Sequence, residues 1–253
     1  IVCKQDQESI TLSEKLKEQL NTFLTYNEKE PDIVISVGGD GTMLYSVHKY
    51  IDAIDRVAFI GIHTGTLGFL TDYQRDEYLQ LVLDIQNGQH RIYERHLLEV
   101  SCLEGIYFAL NEVRIENNRR SQVMDVYIND EYFETFRGNG LCVSTPVGST
   151  AYNKSLGGAV INTCTGLMQL SEIAGIHHNA YRSLGSSLIL DQSHTIRFQS
   201  QSYQGAILGV DHLVIDLKDK DCICVKMSSK KARFLQYRNV SFTQRLKRAY
   251  LNS

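Results

Sequence analysis

Residues 38–42 read Gly-Gly-Asp-Gly-Thr, directly after the apolar run Ile33–Val37 and directly before a helix-like pattern. Three glycines cost backbone entropy on folding, so a turn this bare implies that something approaches the backbone closely. Backbone N–H groups at a helix start, with the positive end of its dipole behind them, favour phosphate. A carboxylate on such a turn can take the proton of a hydroxyl that attacks phosphorus. The plainer reading is a tight strand-to-helix turn in which Asp40 only caps the helix, and on these residues alone the two stand even. No Gly-Lys-Ser/Thr follows, so the segment is not a Walker loop. Nor does it fit the spaced G-x-G-x-x-G dinucleotide fingerprint.

Two further stretches add to the case. In LNEVRI (110–115), Asn111 and Glu112 interrupt an apolar run. Neighbouring strand residues point to opposite faces, so at least one of the two polar side chains is buried unless it ends the strand or bonds a ligand. The stretch RGNGLCVSTPVGSTAYNKSLGGAVI (137–161) holds Pro146, one of only two prolines in the chain, within a Gly/Ser/Thr cluster. Such a loop offers hydroxyls and backbone amides at close quarters, with Tyr152 as a stacking surface. An ordinary loop of this length carries more charge and fewer glycines.

The elements that must position these residues fall into two textures. In the first third, Leu12, Leu16, Leu20 and Leu24 recur every fourth residue, with Phe23 beside them, and predict an amphipathic helix. Ile33–Val37 and Val57–Ile62 read as buried strands, with a helical stripe of Met43, Val47, Tyr50, Ile51 and Ile54 between them. Tyr78, Leu79 and Val82 mark one face of a third helix that Asn87 and Gly88 end. Strand–helix alternation implies a parallel sheet covered by helices. From about residue 95 the runs become short and rich in β-branched and aromatic residues, with a hairpin turn at Asn129–Asp130. Residues 164–176 read as helical, and strands resume after 187. The fold class is therefore α/β + β: an α/β domain over 1–94, a mostly antiparallel β-sandwich over 95–240, and a short basic helix in 241–253 that packs across the domain junction, being too short to stand alone.

Composition narrows the function classes. The 253 residues carry a formal net charge of −3, which offers no general nucleic-acid surface, so an anionic ligand is held locally. The six cysteines lie mostly in strand-like runs, and the Cys222–Ile223–Cys224 spacing fits a strand better than a metal site, with no second pair beside it. They read as reduced thiols of a cytoplasmic protein. No apolar run reaches the roughly 18–20 residues of a membrane span, and no basic-then-apolar signal opens the sequence.

Taken together, GGDGT (38–42), NE (111–112) and TPVGSTAYNKSLGG (145–158) resemble the signatures of the NAD kinase family, in order and in approximate spacing. GIHTGTLGF (61–69) and GVDH (209–212) also resemble family sequence, so the likeness covers nearly the whole chain. GGDG alone is shared with diacylglycerol-type lipid kinases and phosphofructokinases; the proline loop with its tyrosine is far more specific. The resemblance implies transfer of the ATP γ-phosphoryl group to the 2′-hydroxyl of the adenosine ribose of NAD, with Mg²⁺ carried in on ATP and no protein metal site. It implies that Asp40 is the general base and that Gly38, Gly39, Gly41 and Thr42 hold phosphate. Asn111 and Glu112 would hold the adenosine, Thr150, Ala151 and Tyr152 would surround adenine and ribose, and Ser155 would lie toward the nicotinamide. Phe69 would line the pocket, Gly41 would touch NAD, and His212 would lie near the phosphate; without the family, His212 reads as an ordinary strand histidine. His177 and His178 read as surface or helix-end residues. The family implies a C-terminal segment, 241–253, that packs back on the α/β domain, and a homo-oligomer, commonly a tetramer; charge and the apolar pattern predict no nucleic-acid or membrane partner. Two positions depart from its pattern. Asn139 stands where the family usually has an aspartate on the nicotinamide side, and Val147 stands where it usually has a hydroxyl residue. The rival functions are a diacylglycerol-type lipid kinase and a non-catalytic NAD-binding regulator; intact Asp40 argues against the second.

Overall fold

Leu12, Leu16 and Leu20 are all buried in the computed structural model, which describes residues 1–65 and 68–251. They form the inner face of α1 (Gln7–Leu20), whose N-cap Asp6 accepts the Ser9 N–H at 2.8 Å. The helix stops at Leu20, so Leu24 does not extend the stripe and is exposed. β1 (Val2–Cys3) pairs in parallel with β2 (Ile33–Val37), and β2 with β3 (Ala58–His63). Parallel neighbours need crossovers, and α1 and α2 (Asp40–Lys49) supply them. β4 (Tyr73–Gln74) runs parallel to the end of β3. α3 (Tyr78–Asn87) follows, closed by Gly88 in the left-handed conformation at φ 68°. It buries Leu81, Val82 and Ile85; Leu79, expected on that face, is exposed. Leu16, Val37, Ile60, Ile62, Tyr73 and Leu81 meet in one core. Leu16 has no exposed surface there, so Leu16→Ala is expected to destabilise this unit by about 2–5 kcal/mol. Thermal denaturation checks it, and an unchanged midpoint would contradict the packing described.

A second compact unit, Arg95–Lys230, is built on antiparallel strand pairs. Its strands are β5 (Arg91–Cys102), β6 (Gly105–Ala109), β7 (Glu112–Glu116), β8 (Gln122–Ile128) and β9 (Glu131–Ser144). After a loop containing α4 (Tyr152–Ser155) come β10 (Leu167–Gly175), β11 (Leu188–Asp191), β12 (Thr195–Gln199), β13 (Ile207–Val210), β14 (Leu213–Asp216) and β15 (Cys222–Gln236). Asn129 and Asp130, both at positive φ, make the hairpin between β8 and β9. β9 belongs to two ladders, pairing with β8 in its first half and with β7 and β10 in its second. Val126, Phe136 and Phe198 from one ladder and Val113, Val143 and Leu208 from the other fill a single core, as in a sandwich. Gly140 lies where β9 changes ladder, and a Cβ there would sit 2.0 Å from the Ile115 carbonyl oxygen.

Residues 167–175, read as helical from sequence, are β10 instead. Met168 and Leu170 enter the apolar core. The alternate residues Gln169 and Ser171 are just as buried, but they bond Ala159 and Asn153 in the adjoining loop. Buried polar residues on the second face masked the two-residue period.

The last part of β15 belongs with residues 1–94: Arg233 and Phe234 pair in parallel with Ala58 and Phe59 of β3. The compact unit Ile1–Glu94 therefore regains the chain at Lys231, earlier than the position 241 that the sequence pattern indicated. α5 (Phe242–Tyr250) closes this unit, begun by a capping box between Ser241 and Gln244. Cys222 and Cys224 lie on β15, and all six cysteines are unpaired.

Candidate active site

β2 delivers the chain to Gly38, at φ +151°, where a Cβ would lie 2.3 Å from Thr42 Oγ1; both facts demand glycine. Its N–H donates to the Ile62 carbonyl at 3.0 Å and ties the turn to β3. Gly39 is the N-cap of α2, and Asp40 is the first helical residue. The Asp40 side chain turns to another segment. Oδ2 accepts the Phe69 N–H at 2.9 Å and Oδ1 accepts the Leu70 N–H at 3.0 Å. Gly68 makes this fit possible, since a Cβ there would sit 2.2 Å from Asp40 Oδ1. Both bonds are charge-assisted, and each oxygen keeps capacity for a further donor such as a substrate hydroxyl. Gly41 is exposed and faces open space, at the positive end of α2.

His63 borders the turn: a Cβ on Gly39 would lie 3.3 Å from its Nε2. Its Nδ1 accepts the Gly65 N–H at 2.8 Å, which leaves Nε2 as the protonated nitrogen of the neutral ring. Burial lowers the pKa of His63, and the Asp40 charge opposes that shift. From the other side α5 supports the segment that holds Asp40. Arg245 Nη1 donates to the Phe69 carbonyl at 3.0 Å, and Nη2 bonds the Asp72 carboxylate. The Tyr250 ring packs on Phe69, centroids 5.6 Å apart. Thr66 and Leu67 of the GIHTGTLGF stretch lie outside the described residues.

In the second unit, Asn111 and Glu112 stand at the head of β7, both buried. β7 puts Val113 and Ile115 into the core, so Glu112, Arg114 and Glu116 share its other face. Glu112 Oε2 is buried and has no hydrogen-bond partner among the described residues. An orphan of this kind is costly unless a ligand bonds it. Burial first, then the Asp211 charge, push its carboxyl up to about 7, with Arg114 opposing. The Arg114 guanidinium lies over the Tyr152 ring, 5.2 Å from its centroid, and its Nε is likewise buried without a partner.

The proline loop docks on the same strand head. Thr145 N–H donates to the Asn111 carbonyl at 2.8 Å, and Thr145 Oγ1 donates to the Leu110 carbonyl at 2.6 Å. A Cβ on Gly148 would lie 2.0 Å from the Asn111 carbonyl oxygen. Thr150 ends the short turn Gly148–Thr150 and donates its hydroxyl to the Val147 carbonyl at 3.1 Å; Ala151 leads into α4 with Tyr152. Val147 itself is buried. Asn153, fully buried, anchors α4 by accepting the Ser171 hydroxyl at 2.8 Å.

The sequence-predicted residues thus form two groups. Gly38, Gly39, Asp40, Gly41, Thr42 and Phe69 meet in the first unit. Asn111, Glu112, Thr150, Ala151 and Tyr152 cluster around the head of β7 in the second, with Ser155 exposed on α4 and His212 exposed in the β13–β14 turn. Asn139 lies apart from them. Glu112 pairs with Ser144 and Glu116 with Gly140, which puts Asn139 at the far end of β7, roughly 15 Å along the strand at about 3.3 Å per residue. Its Nδ2 donates to the Asn117 carbonyl at 3.1 Å. His177 and His178 are exposed after β10, and with no helix there neither is a helix-end residue. Sequence reasoning assigned nothing to His63, Arg114, Asn153 or Asp211. His63, Asn153 and Asp211 lie in stretches that resemble family sequence, GIHTGTLGF, TPVGSTAYNKSLGG and GVDH, and Arg114 had its two-residue spacing from Glu112 as a signal. Among the described residues no group of three or more His, Cys, Asp or Glu is placed to hold a metal ion, and no helix is long and apolar enough to cross a membrane.

Comparison with known proteins covers both units. Residues 2–90 match the model of the ATP-NAD kinase N-terminal domain, and residues 110–237 match that of the ATP-NAD kinase C-terminal domain. NAD kinase 1 of Bacillus anthracis is 41% identical over 258 residues, spanning 99% of this chain and 97% of that protein. The fold is shared with yeast NADH kinase, solved in complex with NADH, at TM-score 0.82 and 20% identity over 99% of this chain and 87% of that one. It is also shared with an NAD kinase from Archaeoglobus fulgidus, solved with ATP, at TM-score 0.74 and 22% identity over 98% and 93% of the two chains. With both family models matched and a relative 41% identical along almost its whole length, this chain belongs to the NAD kinase family.

Proposed function

We propose that the chain transfers the γ-phosphoryl group of ATP to the 2′-hydroxyl of the adenosine ribose of NAD, producing NADP. The observation that carries this reading is the Asp40 carboxylate, held by two backbone N–H groups at the head of a helix in a member of this family. Asp40 takes the proton of the 2′-hydroxyl as the oxygen attacks phosphorus. Gly38, Gly39, Gly41 and Thr42 hold phosphate at the positive end of α2. Phosphoryl transfer asks mainly for positioning and charge neutralisation, so few side chains are needed. A divalent cation, Mg²⁺, comes with the nucleotide on its phosphates and neutralises charge there when bound. Asn111 and Glu112 hold the adenosine, with the unpartnered Glu112 Oε2 taking a ribose hydroxyl. Thr150, Ala151 and Tyr152 surround adenine and ribose, Phe69 lines the pocket, Ser155 lies toward the nicotinamide, and His212 lies near the phosphate. A homotetramer in the cytoplasm is part of the same proposal and rests on family membership.

The test is NADP formation followed with a coupled dehydrogenase, using ATP and then polyphosphate as donor. Steady production with either donor supports the reading. No NADP with both, or phosphorylation of a diacylglycerol in place of NAD, overturns it.

Asn139 is proposed to contact the nicotinamide side. A carboxylate there would attract the cationic oxidised ring, so Asn139→Asp is expected to lower KM for NAD about fivefold, on the order of 1 kcal/mol. The same change replaces the amide donor that bonds the Asn117 carbonyl, so Tm should fall at the same time. Titration of NAD at fixed Mg-ATP reads the first effect; an equal or higher KM rules the contact out.

A further inference from the structure

Asp211 ends β13 and turns the chain into β14 at φ 50°, a left-handed conformation that Asp and Asn accept more readily than other side-chain-bearing residues. It is buried. Its carboxylate accepts three consecutive backbone N–H groups: Leu110 at 2.8 Å on Oδ2, and Asn111 at 2.8 Å and Glu112 at 3.2 Å on Oδ1. Its own N–H donates to the Glu112 carbonyl at 3.0 Å. One side chain therefore grips the peptide units that carry Asn111 and Glu112, from far away in sequence. Thr145 of the proline loop holds the Leu110 and Asn111 carbonyls, so the N–H groups of the strand head depend on Asp211.

We propose that Asp211 is a positioning residue of the NAD site, fixing the backbone from which Asn111 and Glu112 reach the adenosine ribose. The proposal rests on the NAD kinase reading. Its geometry has an electrostatic companion. The charged and titratable groups around Glu112 are Asp211 from the β13–β14 turn, Arg114 and Glu116 on β7, Cys142 on β9 and Tyr152 on α4. Arg114 alone favours the ionised carboxylate; Asp211 and Glu116 oppose it. Removing the Asp211 charge makes Glu112 ionise at lower pH. An ionised carboxylate only accepts hydrogen bonds, and ribose hydroxyls donate them. NAD affinity is then expected to improve as pH rises through the ionisation of Glu112.

The full chain is titrated with NAD by calorimetry, and NADP formation is measured, from about pH 5 to pH 8. In the wild type the gain in affinity is centred at about 7. In Asp211→Asn the centre moves down by about one pH unit. Affinity at the best pH falls about tenfold, because a carboxamide has one acceptor oxygen for three N–H groups. The loss falls on KM more than on kcat. A merely structural role would lower Tm and the active fraction while leaving the centre in place, and an unmoved centre overturns the proposal. If the Asn variant does not fold by circular dichroism, Asp211→Gly, which suits the left-handed backbone, is read in the same way; failure of both to fold also overturns it. A wild-type chain that neither binds NAD nor makes NADP overturns the functional reading instead.

Discussion

Asp40→Asn is expected to lower kcat by roughly 10²–10⁴-fold, the usual contribution of positioned proton transfer. The substitution is nearly isosteric, and it removes the capacity to take a proton. The seat of the side chain predicts a second effect. The carboxylate offers one oxygen to Phe69 N–H and the other to Leu70 N–H. A carboxamide satisfies one of them and turns an NH₂ toward the other, so one backbone donor loses its partner at about 1–3 kcal/mol. A fall in Tm should therefore accompany the fall in turnover. With NAD held around Glu112 as proposed, its affinity should change far less than kcat. NADP formation gives the first quantity, calorimetry the second and thermal denaturation the third. Near-wild-type turnover would make Asp40 an anchor for the 68–70 segment and nothing more.

Gly148→Ala is expected to weaken NAD binding by about 10–100-fold through the backbone of Asn111, although Gly148 itself has no side chain to offer the substrate. The added Cβ would lie 2.0 Å from the Asn111 carbonyl oxygen, a backbone atom that no rotamer change can move. Either the proline loop lifts or the head of β7 shifts. Both break the Thr145 bonds to Asn111 and Leu110 and disturb the aim of Asn111 and Glu112. Overpacking of this kind costs about 1–3 kcal/mol, and each 1.4 kcal/mol that reaches the binding step is about tenfold in affinity. Calorimetric titration with NAD is the measurement. An alanine variant that binds as tightly as the wild type would show that the docking of loop on strand does not shape the site.

Much of the molecule was legible where local rules act alone. Leu12, Leu16 and Leu20 predicted α1 because one face of that helix meets the core and the other meets water. Asn129–Asp130 predicted a turn because both residues tolerate positive φ. The reading failed where burial is polar. β10 looked helical because Gln169 and Ser171 are as buried as Met168 and Leu170, and what distinguishes the two faces is hydrogen bonding, not hydropathy. In the site, Asn111 and Glu112 stood out as polar residues in an apolar run, and Asp40 as a carboxylate in a bare glycine turn. Asp211 did not, since a strand-end aspartate is ordinary, and its three partners come from backbone distant in sequence. The role of α5 was legible only in outline: its return was expected, but Arg245 reaching the Phe69 carbonyl is a matter of tertiary distance.

The discontinuity of the first unit has a consequence for the order in which the protein is made. Residues 1–94 leave the ribosome early, yet β3 waits for Arg233 and Phe234, and the segment holding Asp40 waits for Arg245. Between them lies the whole of 95–230. At ~5–20 residues per second, translation takes on the order of ten seconds to cross that interval. Throughout it the nascent parallel sheet leaves the Ala58–Phe59 end of β3 without its partner strand, the kind of surface that recruits foreign strands. The second unit is contiguous in sequence, so its partners are all made before Arg245, the last support of the segment that holds Asp40, leaves the ribosome.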